Sequence, residues 1–136
     1  MITEENYNKV WFLKFMGSFS VKPNSRSMIE TLSYAGKLLD NPDNLIVIFP
    51  QGKLHSNHIE ELKFQKGITK LIDSSSRNFQ FLFSTVIIDF FENKKPSVNC
   101  YLKVLEQQEL VDLQSIEGAY NQHYKDSKQL QAQITV

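Results

Sequence analysis

The run Asn44-Leu45-Ile46-Val47-Ile48-Phe49-Pro50-Gln51-Gly52-Lys53 constrains this 136-residue chain more than any other stretch. An unbroken apolar segment rich in β-branched residues stops at Phe-Pro-x-Gly, the pattern of a buried strand closed by a rigid turn. Pro50 offers no backbone donor and sets its own φ, while Gly52 can enter conformations closed to other residues. Gln51, Lys53, His55 and Ser56 follow at once. Polar groups delivered to a strand end are where α/β proteins place their chemistry.

The rest of the chain reads as alternating helices and strands. Residues 3–15 space Tyr7, Val10, Trp11, Leu13 and Phe15 as a short aromatic helix that Gly17 ends, and Ser18–Val21 alternates as a short strand. Ser27 with Glu30 three positions later predicts a capping box. Behind it Met28, Ile29, Leu32, Ala35, Gly36, Leu38 and Leu39 form an amphipathic helix. Asp40–Asn44 stops that helix and leads into the opening run, a helix-to-strand unit whose continuous apolar strand suits a parallel or mixed sheet. Helical period returns over Phe64–Ile72. Phe79–Ile88 and Ser97–Leu105 read as two further strands. From about Asp112 to 133 a Gln-rich segment predicts a polar surface helix that frays towards Val136. One domain spanning 1–136 is expected, with no internal repeat or long linker.

Composition narrows the chemistry. Fifteen basic and fifteen acidic residues cancel, so no global field draws the protein to nucleic acid, and no basic stripe accompanies the strand aromatics. Basic residues exceed acidic ones from Lys9 to Lys70, and the reverse holds from Val104 onward. The single cysteine, Cys100, excludes an intrachain disulfide and reads as a small buried apolar residue. Three histidines support no multi-histidine metal site: His55 and His58 share a loop, and His123 reads as a surface residue of the terminal helix. No Gly-x-Ser-x-Gly elbow surrounds Ser56, and no Gly-rich phosphate loop is present. No apolar stretch reaches the roughly 18 residues that a membrane span requires. A cytoplasmic protein is expected. Anion recognition survives: Lys53, Lys63, Lys66 and Lys70 outnumber Glu60 and Glu61 after the opening run. Lys66-Gly67 at a helix entry could add backbone donors.

Four segments in order, Gly17-Ser-Phe-Ser-Val21, the Ser-led helix, Leu45-Ile-Val-Ile-Phe-Pro-Gln-Gly52 and Phe64-Gln-Lys-Gly67, carry a resemblance over about residues 10–90. The series resembles the glycerolipid (1-acylglycerol-3-phosphate type) acyltransferase family, nearest in wording to a bacterial subgroup with Phe-Pro-Gln-Gly in place of Phe-Pro-Glu-Gly. The resemblance implies a glycerol-3-phosphate acyltransferase-like α/β fold, a mixed and mostly parallel sheet flanked by helices, N-terminally incomplete here. It implies an enzyme of phospholipid biosynthesis that transfers an acyl group from acyl-CoA or acyl carrier protein to a lipid hydroxyl, with no further cofactor. Peripheral contact with the inner face of the membrane follows from such substrates.

The family's general base is the histidine of an H-x-x-x-x-D motif upstream of the Gly-led strand, and no histidine precedes His55 in this chain. The resemblance therefore assigns no catalytic residue here and implies little or no transfer by this polypeptide alone. What remains is an acceptor wall: Phe49, Pro50, Gln51 and Gly52 shaping it, Lys53 with Lys22 or Arg26 meeting an anionic headgroup, and Lys66 and Gly67 at the following helix entry. Gln51 replaces a charged contact by a neutral amide. A non-catalytic lipid- or partner-binding module of the same fold is the alternative. Dimerisation through the aromatic segment around Trp11, Phe12 and Phe15 is a further expectation.

Overall fold

The computed structural model describes residues 2–3, 17–18, 20–21, 25–53, 55–92, 94–106 and 112–134. Two compact units emerge, one of Met1–Gly52 with Gln65–Asn78, the other of Lys53–Phe64 with Phe79–Val136.

In the first unit, β1 (Ile2–Thr3) pairs in parallel with β2 (Ser20–Val21). Helix α1 (Arg26–Leu38) starts at Ser25, whose hydroxyl accepts from the Met28 amide at 3.2 Å. The cap is therefore two residues earlier than the Ser27–Glu30 box expected, and Glu30 instead reaches Arg26 across the helix surface at 3.6 Å. Ser25 wins because it holds an extended conformation, φ −115° and ψ 156°, from which its side chain faces the first free amides. Leu32, Ala35 and Gly36 form the buried stripe of α1 and meet the short helix α2 (Gly67–Asp73) through Leu71. Asp40 ties the helix ends together, accepting from the Ser76 amide at 2.7 Å and the Ser75 hydroxyl at 3.1 Å. Those bonds, the Ser76 amide first, hold its carboxyl below the usual range.

Among the described residues the mostly parallel sheet is not present. The described strands are the two-residue β1–β2 pair and one antiparallel hairpin, and the run 44–49 belongs to no strand. Ile46 and Ile48 pack on the Leu32–Ala35–Leu71 cluster, while Leu45, Val47 and Phe49 are 73, 58 and 62 % exposed. A continuous apolar run suits burial on both faces, and here the side chains of the odd-numbered residues stay more than half exposed.

The second unit is built on β3 (Gln80–Asp89) and β4 (Ser97–Glu106), paired antiparallel along their whole lengths from Gln80↔Glu106 to Asp89↔Ser97. Both strands were legible from period and composition. Helix α3 (Leu113–Ala132) begins with a reciprocal capping box between Asp112 and Ser115 and covers one face of the hairpin. Phe83, Thr85 and Ile87 of β3 and Ile116, His123, Tyr124, Ser127 and Gln131 of α3 are buried. On the opposite face lie the cross-strand pairs Leu82↔Val104, Ser84↔Leu102, Val86↔Cys100 and Ile88↔Val98. Cys100 is thus exposed rather than buried, because the strand alternation places it with the even-numbered residues, away from α3.

Expected as a polar surface helix, α3 instead supplies the core of this unit. Its buried polar groups are all satisfied. His123 Nε2 lies 3.2 Å from the Tyr101 carbonyl, Ser127 Oγ donates to the His123 carbonyl at 2.7 Å, and Gln131 accepts from the Tyr101 hydroxyl at 2.7 Å while donating to Asp89. Polar residues can fill a core when each hydrogen bond finds its partner.

Candidate functional site

The Phe-Pro-Gln-Gly motif forms the turn that its residues predict. The Gly52 amide donates to the Phe49 carbonyl at 3.1 Å, and Gly52 sits at φ +67°, the left-handed region that favours glycine. The Pro50 carbonyl then accepts from the Gln65 amide at 2.8 Å. A Cβ added at Gly52 would lie 3.3 Å from Gln65 Cγ. The two motifs, Phe49–Gly52 and Phe64–Gly67, therefore meet through one backbone bond across fifteen residues of chain (from Pro50 to Gln65).

The anticipated residues fare differently at this turn. Phe49 is exposed, Pro50 and Gln51 are half-buried, and Lys66 is exposed with no ion pair among the described residues. Gly67 opens α2, where an added Cβ would stand 3.0 Å from Leu32 Cδ1, so its role is close helix packing. Arg26 is fully exposed and engaged with Glu30 rather than gathered at the turn. Lys53 is exposed. Lys22, and the aromatic segment around Trp11, Phe12 and Phe15, lie outside the described residues. Gln65 was not singled out by sequence. Its signal was its place between Phe64 and Lys66 in the second motif.

A second set of polar side chains, also missed, belongs to α3. Glu117, Asn121, Tyr124 and Lys128 recur at helical spacing and hold the backbone of segment 57–64. Asn121 accepts from the Leu62 amide at 2.8 Å and donates to the Leu62 carbonyl at 3.0 Å. Glu117 accepts from the Phe64 amide at 2.7 Å and from Lys63 at 3.1 Å, and these bonds keep its carboxyl below the usual range. Tyr124 and Lys128 both donate to the Ile59 carbonyl. This is a structural clamp, each of the four side chains bound to the backbone of 57–64.

None of the three histidines is set up as a base. His55 and His58 are exposed. His123 is 5 % exposed, edge-on to Tyr120 and beside Phe83. Burial pushes its pKa below the ordinary 6.5, outweighing the bond to the Tyr101 carbonyl that favours the charged form. A group charged in the unfolded chain but neutral in the fold withdraws stability as pH falls below about 6.5, the unfolded histidine value. Denaturant midpoints should therefore fall between pH 7.5 and 5.5, before Asp40 or Glu117 begin to protonate. His123→Gln, which keeps a donor for the Tyr101 carbonyl, should flatten that slope. An unchanged slope would place the proton elsewhere.

No group of three metal-ligating side chains occurs among the described residues, and no described helix is long and apolar enough to cross a membrane. The second unit packs one helix on an antiparallel hairpin, and the first carries a glycine-closed turn. No family model, curated protein or solved structure matches this chain.

Proposed function

We propose that this chain binds an anionic lipid headgroup at the Phe49–Gly52 turn, as the acceptor-holding part of an acyltransferase-type site, and does not transfer acyl groups by itself. The Pro50–Gln65 bond carries this reading, because it sets the Gln51 amide and the Lys66 ammonium on neighbouring segments. A neutral amide and a cation on neighbouring segments suit a phosphate ester with free hydroxyls: the lysine meets the charge, and the amide can both accept and donate. Transfer would need a general base, and His123, the one buried histidine, is taken up by packing. Acyl-CoA or acyl carrier protein would remain the donor in an assembly that supplies that base.

Sedimentation with vesicles containing lysophosphatidic acid tests the proposal. Binding should exceed that to phosphatidylcholine vesicles. Lys66→Glu should weaken it about tenfold or more, since one lysine near an anionic surface contributes about 1 kcal/mol and reversal roughly doubles the change. Equal binding to both vesicles, or steady turnover of acyl-CoA by the purified chain, would contradict it.

A further inference from the structure

We propose that the exposed face of the β3–β4 hairpin is the interface of a homodimer, each copy's sheet stacked on the other's. Leu82, Val86, Ile88, Val98, Leu102 and Val104 form this face and are 48 to 63 % exposed. Ser84 and Cys100 complete it, and none of the eight is charged. A two-stranded sheet covered on one side only is marginal in water, and an aliphatic strip of this kind marks a contact surface.

Its dimensions fit a second copy. The eight residues span Leu82–Ile88 and Val98–Val104, seven per strand, which at about 3.4 Å each make a strip about 24 Å long. Two such strips face to face remove roughly 1,000 Å² from water, the lower bound of a specific interface. Sheets stacked in this way lie about 10 Å apart and close under two-fold symmetry, with no new edge left to extend. The chemistry selects the same occupant. Lipid binding of an apolar face leans on cations within or around it. Here Lys63 and Lys125 of this unit are paired with Glu117 and Glu61, Lys94 and Lys95 lie beyond the strip's end, and Lys103 of β4, opposite Phe83, belongs to the other face. An unlike protein partner would be chosen by a charge pattern, which this face lacks.

Val86↔Cys100 lies near the middle of the ladder, so a two-fold axis through the centre brings the two Cys100 side chains near each other. At about 10 Å between sheets a disulfide is out of reach, whereas a short bismaleimide is not. The test uses the full chain at micromolar concentration, with light scattering for mass and bismaleimide cross-linking as a second measurement. A dimer mass and a covalent dimer formed through Cys100, absent in Cys100→Ser, are expected. Leu102→Lys, at an exposed position, should keep the helical spectrum and weaken dimerisation about thirtyfold or more, as loss of a central apolar contact does. A monomer mass without cross-linking overturns the proposal. So does a dimer that Leu102→Lys leaves intact, or a monomer whose binding to phosphatidylglycerol vesicles Leu102→Lys abolishes.

Discussion

Replacing Gly36 by alanine is expected to destabilise the first unit by about 3 kcal/mol and lower its melting temperature by on the order of 10 °C or more. An alanine Cβ at this position would stand 2.2 Å from the Leu71 carbonyl oxygen and 2.8 Å from Ser74 Cβ. The first of these is backbone and cannot swing aside, so α1 and α2 must separate. Separation opens the Leu32–Ala35–Leu71 cluster and strains the Asp40 bonds to Ser75 and Ser76. The sign is the informative part. In an unobstructed helix the same change stabilises by about 1 kcal/mol, because alanine loses less backbone freedom on folding. Gly118 of α3 has nothing within 4 Å of its added Cβ, so Gly118→Ala should raise stability by about that amount. Thermal melts with hydrogen exchange localised to each helix would distinguish the two. A neutral Gly36→Ala would contradict this close approach of α1 to the Leu71 carbonyl.

Asn121→Ala should cost about 2 to 4 kcal/mol, since it strips both the amide and the carbonyl of Leu62 of their partner at a buried position. Exchange of the Leu62 amide should accelerate by about a hundredfold, the equivalent of roughly 2.7 kcal/mol of local protection lost. Asn121→Asp preserves an acceptor for the amide and loses the donor to the carbonyl, so it should fall between wild type and alanine. An alanine variant with unaltered exchange at Leu62 would show that water replaces the side chain, and that segment 57–64 does not depend on α3.

Much of the local structure could be read before any packing was known. The hairpin strands showed their two-residue period, the terminal helix its extent, and Phe49–Gly52 its turn, because φ preferences and hydrogen-bonding capacity belong to single residues. The α1 cap was read two residues late, since Ser25 and Ser27 are chemically alike and only backbone conformation separates them. The site was half legible. Its turn lay in four consecutive residues, but contact with Gln65 depended on how the fourteen residues between Pro50 and Gln65 return the chain.

Burial was the part that residue type could not assign. The run 45–49 has the composition of a two-faced core strand, yet Leu45, Val47 and Phe49 face outward. His123, Ser127 and Gln131 have the composition of a surface and lie within the core. Both inversions have one cause: the free energy of burying a side chain depends on what meets it. The sequence by itself determined the turn at Gly52, the hairpin strands and the extent of α3, all set by neighbours along the chain. The tertiary structure decided which side of each element is covered, because the Tyr101 carbonyl that receives His123 and the Asp89 carboxylate that receives Gln131 come from strands far away in sequence.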